Sequence, residues 1–303
     1  MKILITGASG FIGQKLIENL RENKEAELYA LSRYSFNMQG VHYISGDVCD
    51  KERIEEVFKT VQFDVVVHLA AITEHCEIVN RRLETLNVNL QGTINLLNSF
   101  NAYCKGGAFL YASTGKVYGK TNEMPISETA ITNPQNILGK SKLITERIID
   151  FYAIPENQYL ICRIFNIYGE NQKRNFIVPT IIDQLKLPVI TLGNLKDLRD
   201  YLYIEDLSAA LTACIYKKKK FSHFDYVNIG KGEPTCVADI LREIEGLIGR
   251  KLNVIEDRNR FRKDETQIEF CNRSKITEIT GWEPLYSLND GLYKTLKGEG
   301  ILN

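Results

Sequence analysis

The chain has 303 residues, 44% of them hydrophobic, and its 38 Lys and Arg equal its 38 Asp and Glu. That length and apolar content bury a sizeable core, and the zero net charge excludes a global pull toward nucleic acid or an anionic membrane. The seven cysteines are scattered singly with no C-x-x-C pair, which fits a reducing compartment rather than a disulfide framework.

Residues Met1 to Gly13 read MKILITGASGFIG. Ile3, Leu4 and Ile5 form a short apolar run that stops at a glycine turn, and a helical pattern starts at Phe11. Gly7, Gly10 and Gly13 are spaced G-x-x-G-x-x-G. Without Cβ atoms the backbone can turn tightly, approach a pyrophosphate and pack the helix on the strand. Free N–H groups at the helix start then face the phosphates, with Phe11 and Ile12 in the same cradle.

Strand-like runs follow at Leu28 to Leu31, His42 to Ser45, Val65 to Leu69, Ala108 to Ala112 and Tyr159 to Ile164. Helical patterns lie between them at Ile54 to Val61, Leu83 to Phe100 and Ser141 to Phe151. This alternation implies an α/β fold, a doubly wound parallel sheet with helices on both faces. From about Gly169 longer polar loops separate shorter elements, so a smaller mixed α/β lobe is expected over 169–303, with part of 203–228 returning to the first domain, 1–168. Lys217 to Lys220 reads as a solvated helix C-terminus. No stretch approaches the roughly eighteen apolar residues of a membrane span. A strand beginning at Lys2 leaves no room for a signal peptide, and a cytoplasmic protein is expected.

Further segments occur in order: DVVVHLAA (Asp64 to Ala71), NLQGT (Asn89 to Thr93), STGKVYG (Ser113 to Gly119), GKSK (Gly139 to Lys142), RIFNIYG (Arg163 to Gly169), RDYLYIED (Arg199 to Asp206), NIGKG (Asn228 to Gly232) and GWEP (Gly281 to Pro284). With the glycine turn they resemble the extended short-chain dehydrogenase/reductases that act on nucleotide sugars, from Met1 to about Leu292. The resemblance implies a Rossmann-type domain holding NAD(P) and a C-terminal lobe holding a nucleotide-activated sugar. It also implies that Asp47 and Val48 lie near the adenine, and that Leu69, Ala70 and Ala71 pass under the ribose and pyrophosphate. Asn166, Arg199 and Arg262 would hold the sugar or its diphosphate, as bidentate cations suit two phosphates. Arg199 with Asp200 could instead be a structural ion pair, and Asn272 stands where the family pattern has an aspartate.

The end of the second strand bears on the cofactor. A carboxylate there accepts from the 2′-hydroxyl of NAD, whereas an arginine accommodates a 2′-phosphate. This chain has Leu31, Ser32 and Arg33 with no acid in reach, which favours NADP over NAD, unless Arg33 is simply a solvated surface arginine.

The resemblance breaks at the position of the reacting tyrosine. Relatives oxidise a sugar hydroxyl with a serine or threonine, a tyrosine, and a lysine four residues after it. Thr114 and Lys142 match, but the tyrosine position is Leu138, which can neither donate nor accept a proton. Thr114, Lys142, Lys116 or the loop residues Glu74, His75 and Cys76 could take over the acid/base task, with His75 the best matched in ordinary pKa. Alternatively the protein binds without turnover, or position 138 is an engineered substitution. Relatives that eliminate water across C5 and C6 commonly carry Asp-Glu directly after the threonine. Gly115 and Lys116 stand there, which disfavours an ordinary dehydratase and leaves an epimerase, a keto-reductase or an atypical dehydratase. Relatives dimerise through the two helices that here carry Leu83, Leu86, Leu90, Ile94 and Leu97, then Leu143, Ile144 and Ile148. A homodimer is implied, although such stripes also read as core.

Overall fold

A computed structural model describes residues 1–22, 25–34, 38–73, 75–261 and 267–302, with only the backbone at 75–77. Glu74 and Arg262 lie outside the described residues, as do the side chains of His75 and Cys76. The first half runs β1 (Lys2–Thr6), α1 (Phe11–Leu20), β2 (Glu27–Ser32), β3 (Val41–Ser45), α2 (Lys51–Thr60), β4 (Val65–His68), α3 (His75–Asn80), α4 (Arg82–Leu86), a π-helical stretch Asn87–Gln91, α5 (Gly92–Tyr103), β5 (Ala108–Thr114), α6 (Ile137–Tyr152) and β6 (Gln158–Ile164). The second runs β7 (Asn166–Tyr168), α7 (Ile177–Gln184), β8 (Ile190–Leu192), β9 (Leu198–Tyr203), α8 (Ile204–Tyr216), β10 (Phe224–Ile229), β11 (Pro234–Cys236), α9 (Val237–Ile248), β12 (Val254–Glu256), β13 (Ile268–Glu269), α10 (Ser274–Thr280) and α11 (Leu288–Gly298).

Seven parallel strands form the main sheet in the order β10-β6-β5-β4-β1-β2-β3. Its central strands are apolar at nearly every position because both faces are covered. Ile3 and Ile5 of β1 enter one core with α1 and α8, while Leu4 enters another with α2 and α5. The doubly wound sheet expected from the alternating pattern is the fold found. Strand order reverses between β1 and β4, so a crevice opens at their carboxyl ends, where open α/β sheets bind ligands. A second sheet, β11-β9-β13 with β7 beside β9, lies after β6 in sequence. Among the described residues no helix is long and apolar enough to cross a membrane.

Two helices depart furthest from the sequence pattern. The helix expected over Leu83 to Phe100 is broken by the π-helical turn around Asn89. Buried Asn89 accepts from Ile72 N–H (2.8 Å) and donates to Ile72 C=O (3.0 Å), so its amide serves the loop after β4. Helix α6 begins at Ile137, four residues before the expected Ser141, because Asn136 caps it by accepting from Gly139 N–H at 2.8 Å. At the lysine run, α8 ends at Tyr216 and Lys218–Lys220 forms a 3₁₀ turn. Lys217, Lys219 and Lys220 are exposed, while Lys218 folds back to Met1 Sδ at 3.4 Å.

Glu146 on α6 and Arg163 on β6 form a buried bidentate pair, Nη2 to Oε2 at 2.8 Å and Nε to Oε1 at 3.2 Å. The Ser113 hydroxyl donates to the same carboxylate, and the guanidinium lies against the rings of Tyr118 and Tyr226. Removing one partner of such a pair strands the other charge. Glu146→Ala is expected to cost about 3–5 kcal/mol in urea unfolding, with most of it regained in a Glu146→Leu, Arg163→Met double variant.

Candidate active site

The three glycines of the first turn do different things. Gly7 has φ +67, and a Cβ there would lie 2.7 Å from Ala70 N, so its bareness lets the turn touch the loop after β4. A Cβ at Gly13 would lie 2.4 Å from Gly7 O, so that glycine seats the helix. Gly10 is exposed, and a Cβ there would meet only Gly7 O at 3.1 Å, leaving its outer side open. Gly10 also precedes a helix start with no side-chain cap and no acid in its first turn, whereas Asp50, Asn136 and Ser287 cap α2, α6 and α11. An uncapped N-terminus behind an open glycine fits the pyrophosphate of a dinucleotide. Phe11 and Ile12 stand half-buried in that first turn.

At the end of β2, Ser32 is buried with its hydroxyl 2.7 Å from that of Ser9. Ser9, inside the glycine turn, escaped the sequence reading; its signal was a hydroxyl between Gly7 and Gly10. Arg33 is half-exposed, 3.7 Å from the Asp47 carboxylate, which also accepts from Cys49 N–H at 2.9 Å. The Val48 side chain is buried against the bare Cα of Gly92. Leu69, Ala70 and Ala71 are half-buried, and Ala70 N–H donates to Thr6 Oγ1 at 3.2 Å.

A chain of donors fixes that loop. Thr93 Oγ1 donates to Asn89 O, so it accepts from His68 Nε2, and His68 Nδ1 accepts from Thr6 Oγ1 at 2.7 Å. His68 is therefore assigned neutral with its proton on Nε2, consistent with a pKa pulled down to about 3 by burial and by the charge of Lys142.

Thr114 closes β5 half-buried, and its hydroxyl oxygen accepts from Lys116 N–H at 3.3 Å, which leaves its own hydrogen free to donate. Lys142 is buried, with Nζ donating to Ala112 O at 2.6 Å and lying 4.6 Å above the Tyr111 ring. Burial pulls its pKa down to about 7, and Glu146 one turn away opposes this. Leu138 is half-buried in the first turn of α6. That turn packs on the segment after β5, since a Cβ at Gly139 would lie 2.4 Å from Lys116 O. Lys116 is not free: Nζ lies 2.7 Å from Glu269 Oε2 on β13.

On the other side, Asn166 is half-buried on β7 opposite Tyr201 of β9. Arg199 of β9 is buried, donating to Leu198 O and 3.3 Å from Asp197. The alternative pairing with Asp200 does not occur, because fully buried Asp200 accepts from the backbone N–H groups of Lys231, Gly232 and Cys271.

Residues 3–230 match the family model described as the NAD dependent epimerase/dehydratase family. The chain belongs to this family. Within it, the dTDP-4-dehydro-6-deoxyglucose reductase of Escherichia coli is 29% identical, with 97% of this chain and 96% of that protein covered. The dTDP-D-glucose 4,6-dehydratase of Homo sapiens is 26% identical, covering 98% and 89%. The crystal structure of UDP-glucose 4-epimerase with UDP-glucose from Thermotoga maritima superposes with a TM-score of 0.87 at 25% identity, covering 99% of each chain. Family membership thus brings the NAD-binding fold and nucleotide-sugar relatives of several reaction types, and the reaction must be read from the site.

Lys142 yields a pH signature. Its pKa in the fold, about 7, lies below the ordinary 10.5, so between these values the unfolded chain binds the extra proton. Stability of the cofactor-free protein is therefore expected to rise from pH 7 toward 10 through this group. The urea midpoint at pH 7 and 9 should show that rise, and Lys142→Met should remove it.

Proposed function

We infer that this chain is an NAD(P)-dependent enzyme that transfers hydride at a carbinol or ketone carbon of a nucleotide-activated sugar. The observation that carries the reading is the placement of Lys142 Nζ on Ala112 O, two residues before Thr114 on the same strand, at the carboxyl edge that also carries the glycine turn. Bound nicotinamide would supply or accept the hydride. The α1 N-terminus and Gly10 would hold the pyrophosphate, Ala70 and its neighbours would line its path, and Lys142 would hold the nicotinamide ribose and keep the local potential positive. Thr114 would donate to the reacting oxygen. Leu138 has no proton to supply, so the acid/base group would differ from the usual phenol.

Asn166, Arg199 and Arg262 would meet the sugar diphosphate. NADP is the favoured cofactor, supported by the Ser9 and Ser32 hydroxyls and the half-exposed Arg33 fork, with no carboxylate at the end of β2. Gly115 and Lys116, in place of an acid pair, favour an epimerase or keto-reductase over a dehydratase. A homodimer is supported by exposed Leu83, Leu86, Ile144 and Phe151 on α4 and α6, while Leu97 of the expected stripe is core.

Fluorescence titration is expected to give NADPH a dissociation constant roughly tenfold lower than NADH, since one charge-assisted contact is worth about 1.5–3 kcal/mol, and Arg33→Asp should reverse the order. A panel of nucleotide sugars and nucleotide keto sugars, followed by cofactor absorbance and product mass, tests turnover. Binding without cofactor change or product from any sugar would make this a silent binding protein.

A further inference from the structure

With Leu138 in the phenol position, the proton on the reacting oxygen must come from elsewhere. Thr114 is a relay at most, because an alcohol can give up its proton only if it takes another from a neighbouring acid. Lys142 is 4% exposed and turned to Ala112 O over the Tyr111 ring. Lys116 is placed differently. It is rooted two residues after Thr114, and its backbone carries the first turn of α6, where Leu138 sits. Its side chain is 22% exposed and its Nζ is held by Glu269, whose side chain is 7% exposed. Glu269 stands opposite Arg199 in the β13–β9 pair, so the strands that carry a proposed substrate cation also carry the carboxylate that aims Lys116.

We propose that Lys116, aimed by Glu269, is the proton donor to the reacting oxygen, and that the site reduces the ketone of a nucleotide-activated keto sugar. This rests on the hydride-transfer reading above. An ammonium has three hydrogens to give, and reduction of a ketone needs a group that gives one to the developing alkoxide. In the reductive direction, hydride from a reduced nicotinamide adds to the carbonyl carbon and the C=O π pair moves onto oxygen. Thr114 donates a hydrogen bond to that oxygen. Lys116 gives it one proton and is left a neutral amine, which water recharges through its exposed side, while Glu269 stays a carboxylate. The ketone ends as a carbinol and the dihydronicotinamide as its oxidised form. The substrate must therefore come from a reaction that creates a sugar ketone, an oxidation or a dehydration.

The test uses the full chain with NADPH or NADH and the nucleotide keto sugars of the same panel. Lys116→Met is expected to lower kcat at least a hundredfold, with KM for the sugar and the NADPH dissociation constant within about threefold. The reversed pair, Lys116→Glu with Glu269→Lys, separates a proton donor from a structural clasp. It should regain the urea midpoint lost by either single change and should not regain turnover. As a readout independent of activity, acetylation by acetic anhydride read by mass spectrometry should show Lys116 protected by a nucleotide keto sugar but not by the nucleoside diphosphate alone. Turnover restored in the reversed pair, hydride transfer that survives Lys116→Met, or oxidation of carbinols without reduction of ketones would overturn this proposal alone. Hydride transfer with no sugar in either direction overturns the function reading and this one together.

Discussion

Everything at the ligand edge depends on one close approach, the bare Cα of Gly7 against the backbone of Ala70. A Cβ at residue 7 would stand 2.7 Å from Ala70 N, a distance no packing adjustment of backbone absorbs. Because the turn after β1 and the loop after β4 touch there, the strand-order reversal becomes a floor rather than an open slot. Thr6 then reaches both Ala70 N–H and His68, and His68 reaches Thr93 and the π-helical turn. Asn89, at the middle of that turn, holds Ile72 and lies 3.3 Å from Ser141 of α6. A single steric allowance thus propagates, by satisfied hydrogen bonds, to the helix that carries Lys142.

The electrostatics follow a consistent division. Arg163 is buried but fully matched, by Glu146 and two aromatic faces, and serves structure by binding β5, β6 and α6 together. Lys142 is buried, and among the described residues its ammonium meets a carbonyl and a ring face; burial depresses its pKa against the pull of Glu146. A protein of zero net charge can still offer anions a local field through single buried cations or an uncapped helix start. Unmatched burial is costly to a fold, and it concentrates where function needs it.

Much of this was legible in the sequence for reasons of short range. Apolar runs broken by Gly-rich turns specify buried parallel strands, and the spacing of Gly7, Gly10 and Gly13 specifies the turn, because steric rules act over a few residues. The apolar period alone starts α6 at Ser141, whereas the cap at Asn136 starts it at Ile137. The broken helix was invisible because the use of Asn89 lies in a segment 17 residues away.

The sequence by itself determined the α/β class, the family resemblance and the glycine turn, since each is written in local pattern. Only the tertiary structure decided the partners of the charges. Asp200, next to Arg199 in sequence, turned to three backbone N–H groups, and Arg199 met Asp197. Lys116, a bare loop cation in the sequence, found Glu269 153 positions further on. Charge pairing is settled by which strands lie side by side, and adjacency in the chain carries little information about that.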